Sequence, residues 1–204
     1  YAPLDHLHLF LSYFRLPLLV ALNLFVPVLL VYLGFFLFRR PWAAYLTAAL
    51  PCLALSLGSY YKTQLRGDPV LATDLRILRT AGGIVGHYTL ELSKPVLAAL
   101  AGAVIMLLFA VLLMRREPLR PLSRLIGALV CLALALGAYF TVYTDADIYS
   151  RKAANNSFIN PWSDVEVYVS KGTVYSFVYS VQEMFHDPPE GYNEKDALAA
   201  LAPY

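Results

Sequence analysis

The sequence predicts an all-α polytopic membrane protein, with four transmembrane helices and short helices lying at the membrane surface. Two observations carry this. Residues AVILMFWYC make up 59% of the 204 and charged residues only 15%, against about 45–50% and about 25% in an ordinary soluble chain. The charges are also missing in blocks: residues 16–38, 41–61, 95–114 and 125–144 contain none. About 20 residues rising 1.5 Å each cross the ~30 Å hydrocarbon core, so each block is long enough for one crossing. Inside hydrocarbon the backbone has no water to bond, so a crossing segment pairs its own N–H and C=O groups as a helix.

The same composition excludes other classes. A chain this apolar is not intrinsically disordered. Net charge is +2, from 16 basic and 14 acidic residues, without the clustered basic face that nucleic acid requires. Two cysteines, Cys52 and Cys131, make neither a disulfide scaffold nor a Cys-based zinc site. Both lie within apolar runs, where packing is the expected role. Four long blocks do not read as a secretory signal. The chain opens on Tyr1 rather than Met, which reads as a fragment with a further helix before it.

Along the chain, Leu4, Leu7, Phe10, Leu11 and Phe14 recur at helical spacing, predicting a short amphipathic helix over 4–14 in the interface. The first two spans carry Pro17, Pro27 and Pro51, which start or kink membrane helices without breaking them. Asn23 is an isolated amide in the first span; in lipid such a group is expected to bond a neighbouring helix and set the packing. The loop 62–94 opens with Arg66-Gly67-Asp68-Pro69, a turn signal. Thr73 or Asp74 then caps a helix lined by Leu75, Leu78 and Val85, with Gly82, Gly83 and Gly86 at its end. Residues 1–144 therefore form the membrane domain.

The tail, 145–204, has nine acidic and four basic residues, net −5, and is rich in aromatics. Val174, Phe177, Val178, Val181 and Phe185 follow a helical stripe, stopped at Pro188-Pro189. A last short helix is expected over 193–202. The alternation of Val165, Val167 and Val169 leaves a strand open as an alternative. The tail holds no core large enough for a separate enzyme domain.

Charge counts pull the topology both ways. Arg39, Arg40, Arg115, Arg116, Arg120 and Arg124 sit in short hinges on one face, which reads as cytoplasmic. The opposite face carries Arg15, Lys62, Arg66, Arg76, Arg79, Lys94, Arg151 and Lys152. Density in short loops favours an outward tail.

Lys62, Arg66, Arg76 and Arg79 cluster just beyond the second span. Guanidinium and ammonium groups match phosphate oxygens, so one reading is a lipid headgroup site. The plainer one is snorkelling with internal pairing to Asp68 and Asp74. Asp145 and Asp147, one residue apart, fit a divalent metal held by a phosphate, or more simply cap the fourth helix. His87 and His186 are lone interface histidines. No Gly-rich phosphate loop, nucleophile elbow or HExxH stands in the chain. The spans also lack the side chains titrating near neutrality that proton and ion carriers use.

Two segments go further. Tyr60-Tyr61-Lys62-Thr63-Gln64-Leu65-Arg66-Gly67-Asp68-Pro69, followed by Thr73-Asp74-Leu75, resembles the loop after a membrane helix in the lipoteichoic acid synthase family. Its members are phosphoglycerol transferases of the sulfatase-like superfamily. In the tail, Asn160-Pro161-Trp162, Tyr168 before Lys171-Gly172, then Phe177, and Pro189-Glu190-Gly191-Tyr192 resemble that family's linker from membrane to catalytic domain. The likeness covers roughly 16–204, with Lys171-Gly172 standing where many relatives have Asn-Gly. It implies a bacterial cell membrane, an extracellular tail, and transfer of glycerol phosphate from phosphatidylglycerol to a cell-envelope polymer or lipid anchor. It also implies a catalytic domain with a threonine nucleophile and a divalent metal, usually manganese. No such residues match in this chain, which would be that enzyme's anchor and linker; five spans are typical of the family. The alternative is a freestanding, non-enzymatic membrane protein binding a partner through its tail.

Overall fold

A computed structural model describes residues 11, 13–76, 92–114, 120–149 and 164–185. The fold is all-α, and no strand occurs among the described residues. Among the described residues four helices are long and apolar enough to cross a membrane: α1 (Pro17–Phe38), α2 (Pro41–Arg66), α3 (Lys94–Leu112) and α4 (Pro121–Ala138). A five-residue π turn, Tyr139–Tyr143, extends α4. Three short helices follow, α5 (Ala146–Tyr149), α6 (Asp164–Lys171) and α7 (Thr173–Ser180), then a 3-10 turn at Val181–Phe185. The protein is thus a polytopic membrane protein of the expected class.

Each crossing helix has a proline in its first turn, where the missing N–H has no intrahelical partner to lose and the fixed φ is already helical. Pro27 and Pro51 lie inside α1 and α2 without ending them.

Two boundaries differ from expectation. The second span continues through Lys62 to Arg66 and ends on Gly67 at φ 82°, so Lys62 and Arg66 belong to the helix and not to a loop. The fourth begins at Pro121 and includes Arg124. In both cases a long basic side chain carries its charge away from hydrocarbon while its backbone stays helical. The alternation over Val165–Val169 is helical, within α6. The interfacial helix expected over 4–14 and the last helix over 193–202 lie outside the described residues, apart from Leu11, Tyr13 and Phe14.

Across the bundle the order is α4, α1, α2, α3. The first hairpin, α1 with α2, is the most extensively packed pair; Thr47 places its hydroxyl 2.8 Å from the Leu30 carbonyl. Tyr45 donates to the carbonyl of Ala103 at 3.0 Å, joining α2 to α3. Large side chains such as Leu97, Ile105, Leu122 and Leu129 stay exposed, which water would penalise and lipid does not. The buried core is small and sits at the tail end of α1: Leu19, Leu22, Tyr143 and Tyr175.

Candidate functional site

The tail closes over the first span through one amide. Asn23 is 9% exposed. Its Nδ2 donates to the carbonyl of Leu19 at 2.9 Å, one turn back on its own helix. The other Nδ2 proton goes to the carbonyl of Lys171 at 2.8 Å, and Oδ1 accepts from the backbone N–H of Tyr175 at 3.0 Å. One side chain thus meets the last carbonyl of α6 and an N–H in the first turn of α7. Those are helix-end groups with no partner within their own helices.

Gly172 makes this approach possible. It joins α6 to α7 at φ 89°, a conformation side-chain-bearing residues rarely adopt. A Cβ there would collide with the Asn23 carboxamide. Its N–H still bonds the carbonyl of Tyr168 at 2.8 Å, and its own carbonyl accepts from Ser176 at 3.1 Å. The bend therefore leaves no peptide group of Gly172 unpaired.

Aromatic rings fill the space around the joint. Tyr143 donates to the carbonyl of Leu22 at 2.6 Å, and Tyr175 meets the rings of Tyr143 and Tyr149 edge-on. Tyr149 stacks on Tyr179 at 3.6 Å. Lys171 is 1% exposed, with its ammonium 5.9 Å from the Tyr149 ring centre, within reach of a cation–π attraction. Burial pushes the Tyr175 hydroxyl well above its ordinary value, and nearby Tyr149, Tyr179 and Asp145 add to the shift. The phenol stays neutral through the physiological range. Asp145 accepts from the N–H groups of Asp147 at 2.8 Å and Ile148 at 3.1 Å. It caps the start of α5, not the end of the fourth span.

The predicted basic cluster divides into separate roles. Lys62 is ion-paired with Asp74 at 2.7 Å and donates to the carbonyl of Pro69 at 2.9 Å. Asp74 also accepts from the N–H of Leu71 at 2.8 Å. Its carboxylate therefore reaches back to close the turn; the helix expected beyond it, lined by Leu75, Leu78 and Val85, lies outside the described residues after Arg76. Arg66 is exposed at the end of α2. Arg76 is exposed too and donates to the carbonyl of Met184 in the tail. A second tie lies beside it, where the N–H of Ala72 donates to Ser180 Oγ at 2.9 Å. Arg79, Trp162, Gly191 and Tyr192 lie outside the described residues, as do His87 and His186.

The other described motif residues make contacts within the fold. Tyr60 donates to Ser93 Oγ at 2.7 Å, just before α3, and its ring meets Tyr61 edge-on. Asp68 is exposed, and its carbonyl accepts from Thr63 at 3.3 Å. Pro69 is buried under the turn. Tyr168 is buried in α6. Among the described residues no group of three or more His, Cys, Asp or Glu side chains is arranged to hold a metal.

The Lys62–Asp74 pair is only about 20% exposed at each side chain, so screening is partial. Lys62→Met is expected to cost about 1–2 kcal/mol in unfolding from mixed micelles. Asp74→Asn should cost a similar amount, and the double variant clearly less than the sum. Full additivity would show that the pair does not hold the turn.

Sequence reasoning marked Asn23 and Gly172 separately but did not join them. The available signals are a lone amide in an apolar span and a glycine just before the helical stripe that starts at Val174. No protein-family model matches the chain, and none of the curated proteins or solved structures is detectably similar to it.

Proposed function

We propose that this chain is the membrane anchor and interfacial linker of an enzyme like the lipoteichoic acid synthases, a sulfatase-like phosphoglycerol transferase. In this reading it lies in a bacterial cell membrane with the tail outside. It holds a catalytic domain at the depth of the donor, phosphatidylglycerol, from which glycerol phosphate passes to a cell-envelope polymer or lipid anchor. Manganese or another divalent metal belongs to that domain.

The observation that carries the reading is the Asn23–Gly172 joint. A tail that only tethered a partner would need no buried contact with the bundle. This one is bonded to α1 through both Lys171 and Tyr175, and to the 67–76 turn through Ser180 and Met184. A domain continuing from such a tail inherits a fixed height and orientation. That replaces a search in three dimensions with positioning at the lipid surface.

Two experiments test it. Reading the gene through both ends should show a downstream domain of several hundred residues with a threonine nucleophile and acidic and histidine metal ligands. A stop codon after Tyr204 would overturn the proposal in favour of a freestanding membrane protein. In the whole enzyme, Arg66→Ala is expected to lower turnover several-fold on membrane lipid and much less on a soluble donor analogue. Arg66 is the test position because Lys62 is engaged with Asp74 and Arg76 with Met184. Equal loss on both substrates would remove the headgroup role.

A further inference from the structure

We propose that the groove between α1 and α4 holds one acyl chain of a lipid from the leaflet on the tail side. The two helices are fastened to each other at both ends. Toward the far end, Gly127 lets α4 approach the Phe36 ring, which a Cβ would strike, and Arg124 Nε donates to the Phe36 carbonyl at 2.8 Å. At the tail end, Tyr143 donates to the Leu22 carbonyl and its ring stacks near Phe25. Between these fastenings the helices leave an apolar groove of about 200 Å³. Phe25, Leu29 and Leu33 line one wall, Cys131 and Ala135 the other, and Val178 of α7 closes the top beside Tyr143.

Depth identifies the occupant. Asp145 is the first charge after the fourth span and marks the tail-side boundary of the hydrocarbon. The groove starts just below that level at Phe25 and runs to Leu33. Eight residues of helix cover about 12 Å, close to half of the ~30 Å hydrocarbon core. A further helix, about 10 Å across, is too wide to enter. The lining is almost wholly apolar, and the Tyr143 hydroxyl is already given to the Leu22 carbonyl, so water lacks the two to four polar partners it needs. What remains at that depth is a slender, fully apolar chain running lengthwise. The proposal does not depend on the enzymatic reading, since it rests on the packing of α1, α4 and α7 alone. It adds a consequence: Val178 and Tyr143 belong both to the groove and to the packing around the joint, so a bound chain supports the docked tail from beneath.

The test uses the full chain in nanodiscs containing a phospholipid with a diazirine midway along one acyl chain. After irradiation, cross-links are mapped by mass spectrometry. Adducts are expected several-fold more often on the groove walls, at Leu29 and Ala135, than on the exposed lipid face of α3 at Ile105 and Met106. Ala135→Trp fills the groove and should remove most of its adducts while leaving those on α3 unchanged. Leu29→Trp, from the opposite wall, gives the same reading should the first variant fail to fold. Adducts spread evenly over all lipid-facing helices would overturn the proposal, and so would groove adducts that persist in a folded Trp variant.

Discussion

Gly172→Ala is expected to release the tail from the bundle. Two costs add. The backbone at φ 89° and ψ 142° lies where L side chains are strained by roughly 1–3 kcal/mol. The new methyl also collides with the Asn23 amide, and overpacking typically costs about 1–3 kcal/mol more. Trypsin reads the outcome directly. Lys171, the residue before the glycine, is 1% exposed, so cleavage after it requires the tail to open. A loss of about 3 kcal/mol raises the open population roughly a hundredfold, and cleavage follows that population when reclosing is fast. Gly67→Ala is the control. Its φ is 82° but nothing lies within 4 Å of the added methyl, so it carries the backbone cost alone and should leave Lys171 protected. Unchanged cleavage in Gly172→Ala would show that the joint does not hold the tail.

Asn23→Leu should have a comparable effect by a different route. It keeps the volume and removes every polar partner. The Lys171 carbonyl and the Tyr175 N–H are then left in a site that excludes water. An unmet buried group costs about 1–3 kcal/mol, moderated where a membrane protein finds substitute partners, so about 2–4 kcal/mol is expected for the two. The Lys171 cleavage rate measures it, as does the unfolding midpoint in micelles. The two sites are also expected to be coupled. With Asn23→Ala in place the methyl of Gly172→Ala no longer meets the amide, so its further cost should shrink to the backbone part. Simple additivity would mean that the collision is relieved elsewhere.

These effects mark the limit of what the sequence alone made legible. The four spans were readable because lipid imposes a single requirement, an uninterrupted apolar helix of sufficient length. Their ends were less readable, since Lys62 and Arg124 sit on helical backbone while their head groups bond at Asp74 and at the Phe36 carbonyl. Hydropathy sees the charge and not its reach. The basic cluster looked like one feature because its members are near in sequence. In space Lys62 closes a turn and Arg76 holds the tail, leaving Arg66 exposed. The joint was illegible for the opposite reason. Asn23 and Tyr175 are 152 residues apart, and no local periodicity records that a glycine bend must face an amide in the first span.

That separation has a consequence for biosynthesis. Asn23 enters the membrane long before Lys171 and Tyr175 have been translated. At about 5–20 residues per second the interval is roughly 8–30 s. Throughout it the Asn23 carboxamide has only the Leu19 carbonyl within its own helix and, just before that helix, the Tyr13 hydroxyl. The hairpin of α1 and α2 can form early, but the last polar demand of α1 is met only when the tail folds back. Completion of the tail thus ends the period in which the amide of the first helix lacks two of its partners. A chain interrupted before Lys171 would keep that amide without its tail partners for good.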